Sequence, residues 1–328
     1  MRLSFILLMT MGCTDNYSNA RRLIAKTPES VIYAQAKEAM KAEGIDHLTW
    51  CVTPYVTPDG GVEEGYVPTI ALVAERLKTP MSVVAGKSYA DVEQQLLAGT
   101  IDVAVMSPYA YVRAHAKNSK IRAIATHIAN GTETYGAYIL TQEDSEYQTL
   151  NDLRGEPFGF VDKRSSSGWL FPASRMLDEG VNPLKDIEGK FYGDHESVIK
   201  AISSGEVAAG ATYSGALKAG RGNIFGANSL RVMARTERIP YDAYVVRAGL
   251  PAEAIVGIQN ALSSVSTRDS RGRNALLPLD NINGFIRSDD AHYRGVREVE
   301  ARVQSLLTLP GGRLPIAVYD EDKEDIGP

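Results

Sequence analysis

Four polar corners of this sequence could grip a small anion. The first is Phe158-Gly-Phe-Val-Asp-Lys-Arg-Ser-Ser-Ser-Gly-Trp-Leu-Phe-Pro172. An apolar run ends at Val161, a polar turn holds Ser165, Ser166 and Ser167, and a helical pattern starts near Gly168. The first N–H groups of a helix have no acceptor behind them, and together with the positive dipole end they favour an anion. Serine hydroxyls add donors that suit tetrahedral oxygens, and Gly168 allows close backbone approach. Pro172 fits a first helical turn, where a missing N–H costs little. Standing alone, such a triplet would read as an ordinary serine N-cap. It has company. Phe191-Tyr-Gly-Asp-His195-Glu-Ser-Val again runs strand, turn, helix and sets His195 at a helix start. Met106-Ser107-Pro108-Tyr109-Ala-Tyr111 supplies Ser107 and two phenols, and Ile239-Pro240-Tyr241-Asp242 brings a carboxylate. In open α/β sheets ligands sit outside the carboxyl ends of strands, so such corners can converge on one site.

The elements that would carry these corners alternate strand with helix. Strands are expected over 48–52, 81–84, 101–106, 121–127, 135–140, 158–161, 189–192, 207–212, 230–234 and 243–246. Helices are expected over 66–77, 88–98, 108–115, 195–203, 251–264 and 293–307, with 165–178 a loop entering a helix. Ser88 opens one helix and Gly99 stops it, while the run at 101–106 is almost wholly apolar, as when both sheet faces are covered. Alternation of this kind implies parallel β–α–β units. It occurs twice, which fits two α/β lobes joined near 133–138 and 235–242, two crossings that permit hinge closure on a ligand between them.

The order and spacing of these segments, over roughly 48–262, resemble the phosphate, phosphite and phosphonate substrate-binding proteins of bacterial ABC importers. The residues that carry the resemblance are Gly99-Thr-Ile-Asp102-Val-Ala with Ser107-Pro108-Tyr109-Ala-Tyr111-Val, then Val161-Asp-Lys-Arg-Ser-Ser-Ser-Gly168 with Leu170-Phe-Pro172, then Gly193-Asp-His195-Glu, then Ile239-Pro240-Tyr-Asp242. The resemblance implies a type II periplasmic binding protein, α/β with two lobes, mixed sheets and an interlobe cleft. One lobe would take 47–134 with 241–317 and the other 135–240. It implies oxyanion ligands at Ser165, Ser166, Ser167, His195 and Asp242, with Tyr89 in Gly-Lys-Ser-Tyr-Ala-Asp91 reaching the same guest and Ser107 and Tyr109 beside it. Ser166 stands where threonine is common, and Met106 where some relatives have an aromatic. The loop Ala211-Thr-Tyr-Ser-Gly-Ala-Leu217 has no carboxylate for an ammonium group. That points to phosphite, methylphosphonate or phosphate ahead of aminoethylphosphonate, with an ABC permease as partner and no cofactor. An ionised Asp242 can only accept, so beside an anion it must meet a P–OH proton, a feature sulfate lacks. The bland alternative is an aspartate capping the turn after Pro240.

The rest of the chain sets bounds. With 35 Lys and Arg against 40 Asp and Glu, the net charge is −5, which argues against the basic face that nucleic acid requires. With 44% apolar and 23% charged residues the composition is globular, and 328 residues suit about two domains. No apolar run reaches the roughly 20 residues needed to span a bilayer. Arg2, a short apolar stretch and Gly12-Cys13 follow the grammar of a lipoprotein signal over 1–13, so export and a lipid anchor at Cys13 are expected; a misassigned start is the alternative. Residues 14–46 read as a tether with a surface helix, 318–328 as an acidic tail, and Cys51 as a buried inert thiol. Gly220-Arg-Gly222-Asn-Ile-Phe-Gly226 misses dinucleotide spacing by one residue, Ser197-Val-Ile-Lys200 lacks the partners of an acyl enzyme, and the five histidines show no metal-ligand spacing. Two further readings stay open: the same fold serving another small anion in uptake or sensing, and an enzyme using His195 and Asp242 as acid and base.

Overall fold

The computed structural model describes residues 27–53, 62–216, 230–279 and 281–308. The readings at Cys13, at the glycine loop 220–226 and at the acidic tail lie outside these residues. From the amino-terminal side the chain forms α1 (Glu29–Ala42), β1 (Leu48–Val52), α2 (Val62–Leu77), β2 (Met81–Ala85), α3 (Tyr89–Ala98), β3 (Val103–Met106), α4 (Pro108–Lys117) and β4 (Arg122–Ala129). Then come β5 (Thr134–Tyr135), β6 (Ala137–Gln142), β7 (Pro157–Phe160), a wide π-helical turn (Ser166–Leu170), α5 (Phe171–Asp178), β8 (Glu188–Phe191), α6 (His195–Ser203), β9 (Ala209–Tyr213) and β10 (Leu230–Arg235). The chain returns through β11 (Ile239–Pro240), β12 (Ala243–Val246), α7 (Ala252–Ser263), α8 (Ser270–Leu276), β13 (Ile282–Arg287) and α9 (Arg294–Thr308).

Two mixed sheets organise two α/β lobes. A six-stranded sheet runs β13-β4-β12-β3-β1-β2, and a five-stranded sheet runs β10-β6-β9-β7-β8. The ribbon β11·β5, with Ile239 opposite Tyr135, lies where the chain passes between them. β3 shows why its residues make a central strand. Val103 and Val105 pack with Trp50 and Ile258 on one face, while Ala104 and Met106 pack with Cys51 and Tyr109 on the other. Side chains alternate faces along a strand, so a four-residue apolar run is buried on both. The last helix seals the second face. Its Val296, Val299, Val303 and Leu307 fall at helical spacing and join the core that holds Tyr109 and Trp169.

Several boundaries follow from local chemistry. Ser88 Oγ accepts the Asp91 N–H at 3.1 Å to start α3, and Gly99, in the left-handed region at φ 74°, ends it. The single strand expected over 135–140 is two, β5 and β6, parted at Gly136, because β5 pairs with the returning ribbon while β6 enters the larger sheet. The alternation also suggested more parallel pairing than exists: β12 runs antiparallel to both β3 and β4, and β6 antiparallel to β9 and β10. Helix α1 is a surface helix with a buried stripe, Ile32, Ala36 and Met40. Gly257 of α7 meets that stripe so closely that a Cβ there would lie 2.5 Å from the Ala36 Cβ.

Candidate binding site

The hydroxyl turn follows β7 directly. Val161 N–H donates to Gly168 O at 3.1 Å, so the chain folds back on itself over the three serines. The near approach that Gly168 permits is to this protein and not to a guest. A Cβ there would lie 2.3 Å from the Val161 Cβ and 2.9 Å from Ser165 Oγ. Ser165 is the N-cap, its Oγ accepting the Gly168 N–H at 2.9 Å. Ser166 and Ser167 occupy the first positions of the π turn, where helix geometry provides no acceptor for their amides. All three side chains are buried.

Each serine hydroxyl meets a residue from outside its own turn. Ser165 is hydrogen-bonded with the Tyr89 hydroxyl, and Ser167 with the Tyr135 hydroxyl. Ser166 Oγ accepts the main-chain N–H of Tyr109 at 2.9 Å. Burial raises the Tyr89 phenol far above the usual range, with Asp242 next among the causes; Tyr135 is raised in the same way, by burial and then by Asp242. Both phenols stay neutral donors. Tyr135 also stacks on Tyr241 across the ribbon, ring centres 5.1 Å apart and 18° between planes. The sequence had offered Tyr135 only as part of a crossing; its partner at Ser167 lies 32 residues away.

Asp242 lies close enough to both of these phenols to raise them, and it has no hydrogen-bond partner among the described residues. It keeps some solvent access, as a group lining a cleft would, yet burial pushes its carboxyl up to about 7. That amends the expectation of a permanently ionised acceptor. An arriving anion raises its pKa further.

His195 is the first residue of α6. The Asp194 side chain caps that helix, Oδ1 accepting the Ser197 N–H at 2.8 Å. Burial lowers the imidazole to about 4, against an opposing pull from Asp194, so the ring is neutral at physiological pH. Its Nδ1 lies 2.9 Å from Thr212 Oγ1. Donation by that hydroxyl leaves the ring proton on Nε2, the tautomer that can give a hydrogen bond to an oxyanion. The ring packs edge-on against Tyr213, centres 4.9 Å apart, and Tyr213 borders the cluster that contains Tyr89 and Val161.

Ser107 and Tyr109 are placed beside the turn but differently engaged from expectation. Ser107 Oγ donates to Arg164 O at 2.7 Å and accepts from Ala110 N–H, so it caps α4 and ties the turn down. Tyr109 reaches Ser166 through its backbone, while its phenol meets Glu300 on α9. The Tyr111 phenol donates to Asp290 at 2.9 Å. Corner residues are drawn to one place, but their hydroxyls are shared out.

Other features do not compete. Among the described residues no group of His, Cys, Asp and Glu is arranged to hold a metal ion, and no helix is long and apolar enough to cross a membrane. Cys51 is buried and free, its thiol pushed up to about 11 by burial, which makes it a poor nucleophile. A concavity of about 510 Å³ lies at the opposite end of β7, beside Pro157. Asp144, Glu146, Glu156 and Glu206 line it, which does not suit an anion.

Comparison with known proteins identifies the family and the fold. Residues 51–293 match the family model described as the periplasmic substrate-binding protein of a phosphonate ABC transporter. The chain is 25% identical over 289 residues to the phosphate-import protein PhnD of Mycolicibacterium smegmatis, covering 80% of this chain and 88% of that one. A crystal structure of the binding component of a phosphonate ABC transporter from Pseudomonas aeruginosa superposes with a TM-score of 0.71 at 19% identity, over 79% of this chain and 87% of that one. PhnD1 from Prochlorococcus marinus, solved with methylphosphonate, gives 0.70 at 16% identity, over 79% and 98%. At these identities the two structures establish the shared fold of type II periplasmic binding proteins.

Proposed function

The chain belongs to the periplasmic substrate-binding proteins of phosphonate ABC transporters, and we propose that it captures phosphite, methylphosphonate or phosphate between its lobes. The observation that carries this reading is the largely buried carboxyl of Asp242, without a hydrogen-bond partner among the described residues and close to phenols that are already joined to Ser165 and Ser167. Serine hydroxyls, free turn amides and a neutral His195 supply donors, and Asp242 shares one proton with one of the three oxygens that phosphite, methylphosphonate and phosphate have in common. Such a set suits a tetrahedral phosphorus oxyanion.

The six described residues from Ala211 to Ala216 include no carboxylate, which favours a small uncharged substituent on phosphorus over an aminoalkyl group. Closure would pivot at the β5·β11 ribbon, with 47–134 and 241–317 on one side and 135–240 on the other. The receptor hands its cargo to an ABC permease, performs no chemistry on it, and is held outside the cytoplasm by lipid on Cys13. Palmitate labelling that is lost in Cys13→Ser supports the anchor, and labelling that persists refutes it.

Calorimetric titration with phosphite, methylphosphonate, phosphate, aminoethylphosphonate and sulfate tests the assignment. Tight binding of one or more of the first three, at least tenfold better than aminoethylphosphonate, is the expected result. Binding of none of the three, or turnover of any of them by purified protein, would refute it.

A further inference from the structure

We infer that Glu93 is a positioning residue that fastens the hydroxyl turn of one lobe to the other lobe and so governs how long a bound anion stays. The inference rests on the oxyanion-binding reading above. Glu93 lies on α3, among the elements of the six-stranded sheet, with only 1% of its side chain exposed. Its Oε2 is 2.6 Å from Arg164 Nε, and Arg164 belongs to the turn that leaves β7 of the other sheet. Its Oε1 is 3.1 Å from Lys117 Nζ, on α4 of its own lobe.

Arg164 is the residue immediately before the serine triplet, and it is held at three points. The guanidinium meets Glu93, the carbonyl accepts from Ser107 Oγ at 2.7 Å, and the N–H donates to Asp162 Oδ1 at 2.7 Å. Two of these three ties cross between the lobes. They set the height of Ser165, Ser166 and Ser167 against Tyr89 and the Tyr109 amide, the partners those serines use.

The charges are arranged for a reversible fastening. Parting the lobes breaks the Arg164 half of the pair but leaves Lys117 on Glu93, so the carboxylate is never left buried and bare, the state that costs most. Arg164 meanwhile returns to water. A buried ion pair contributes little net stability compared with well-packed apolar residues, yet it demands a defined geometry. Those are the properties of a latch that fixes the closed arrangement without cementing it.

The experiment follows release of inorganic phosphate and methylphosphonate by stopped-flow fluorescence, using Trp169 in the turn itself as reporter. Glu93→Gln keeps the side-chain shape and removes the charge. Dissociation is expected to accelerate roughly ten- to hundredfold with association changed less than about threefold. Arg164→Gln should behave alike, and the double variant should be no worse than either single one, while the ligand-free melting temperature stays within a few degrees. Unchanged dissociation in Glu93→Gln overturns the inference, and so does a fall in melting temperature with affinity intact.

Should the unmodified protein bind none of the phosphorus anions, the functional reading falls and the latch is judged separately. Spin labels at Lys120→Cys and Lys185→Cys, one on each lobe, in a Cys13→Ser background would then report the ligand-free separation. A population shifted to longer distances in Glu93→Gln sustains the latch, and identical distributions overturn it.

Discussion

If Asp242 shares a proton with its guest, binding must become proton-linked above neutrality, and the size of the effect follows from the site. Burial holds the free carboxyl near pH 7. By pH 9 it is ionised in the free protein, and phosphate and methylphosphonate are dianions in solution. The complex still requires one proton between the carboxyl and the nearest oxygen, because two unscreened anions in contact would repel. Supplying that proton two pH units above the pKa costs about 2.7 kcal/mol, a hundredfold in affinity. The dissociation constant should therefore rise about tenfold per unit between pH 8 and pH 10, with proton uptake approaching one per ligand. Titration in two buffers of different ionisation enthalpy measures that uptake directly.

Asp242→Asn replaces the needed proton with an amide donor, so the slope should vanish while binding of the dianion persists. Sulfate sharpens the comparison. It carries no proton, but the half-protonated carboxyl can lend one at pH 7 at a cost of only about twofold. Asp242 alone should thus discriminate weakly against sulfate at neutrality, contrary to what a fixed negative charge would do. A flat profile from pH 7.5 to 9.5 in the unmodified protein, or an undiminished slope in Asp242→Asn, would defeat the reasoning.

Two further predictions concern the ligand-free protein. Gly168→Ala drives a Cβ to 2.3 Å from the Val161 Cβ, a backbone-level clash of a kind that costs about 1–3 kcal/mol or more; it should lower the melting temperature by several degrees and weaken binding. Adding Val161→Ala removes the Cγ2 at 2.4 Å but keeps that Cβ, so it should recover little of either, and full recovery would show that the strain lies elsewhere. The second concerns the sign of a pH effect. Because the Asp242 pKa is raised on folding, the folded state binds more protons, so stability present below pH ~4 is lost as pH rises toward 7. Thermal melts of Asp242→Asn should match the unmodified protein near pH 4 and lie a few degrees higher at pH 8; coincident melts throughout that range would contradict it.

What could be read from the sequence were features whose cause is local. Ser88 and Gly99 delimit α3 because a cap and a left-handed stop act within a few residues. The apolar run of β3 declares a strand covered on both faces, and a serine triplet after an apolar run declares a turn entering a helix. β13 escaped because Ile282-Asn-Gly-Phe-Ile-Arg287 has a glycine at its centre and a register shift against β4, which blurs the period-two pattern. The break at Gly136 escaped because it is set by pairing with β11, just over a hundred residues further on.

The site divides along the same line. Ser165, Ser166 and Ser167 are donors by virtue of their own turn, and the sequence names them. Ser107 and Tyr109 stand at a corner that the sequence locates, but their roles are decided by Arg164 and Ser166, 57 residues away. Tyr135 becomes part of the site only when the ribbon sets it between Ser167 and Tyr241. Glu93, an ordinary glutamate on an amphipathic helix, becomes consequential only when Arg164 arrives from 71 residues later. Residues that would touch the guest are thus spelled locally, whereas those that hold two lobes in register around it depend on long-range encounter. Substitutions at the second group should alter the kinetics of capture and release more than the choice of ligand.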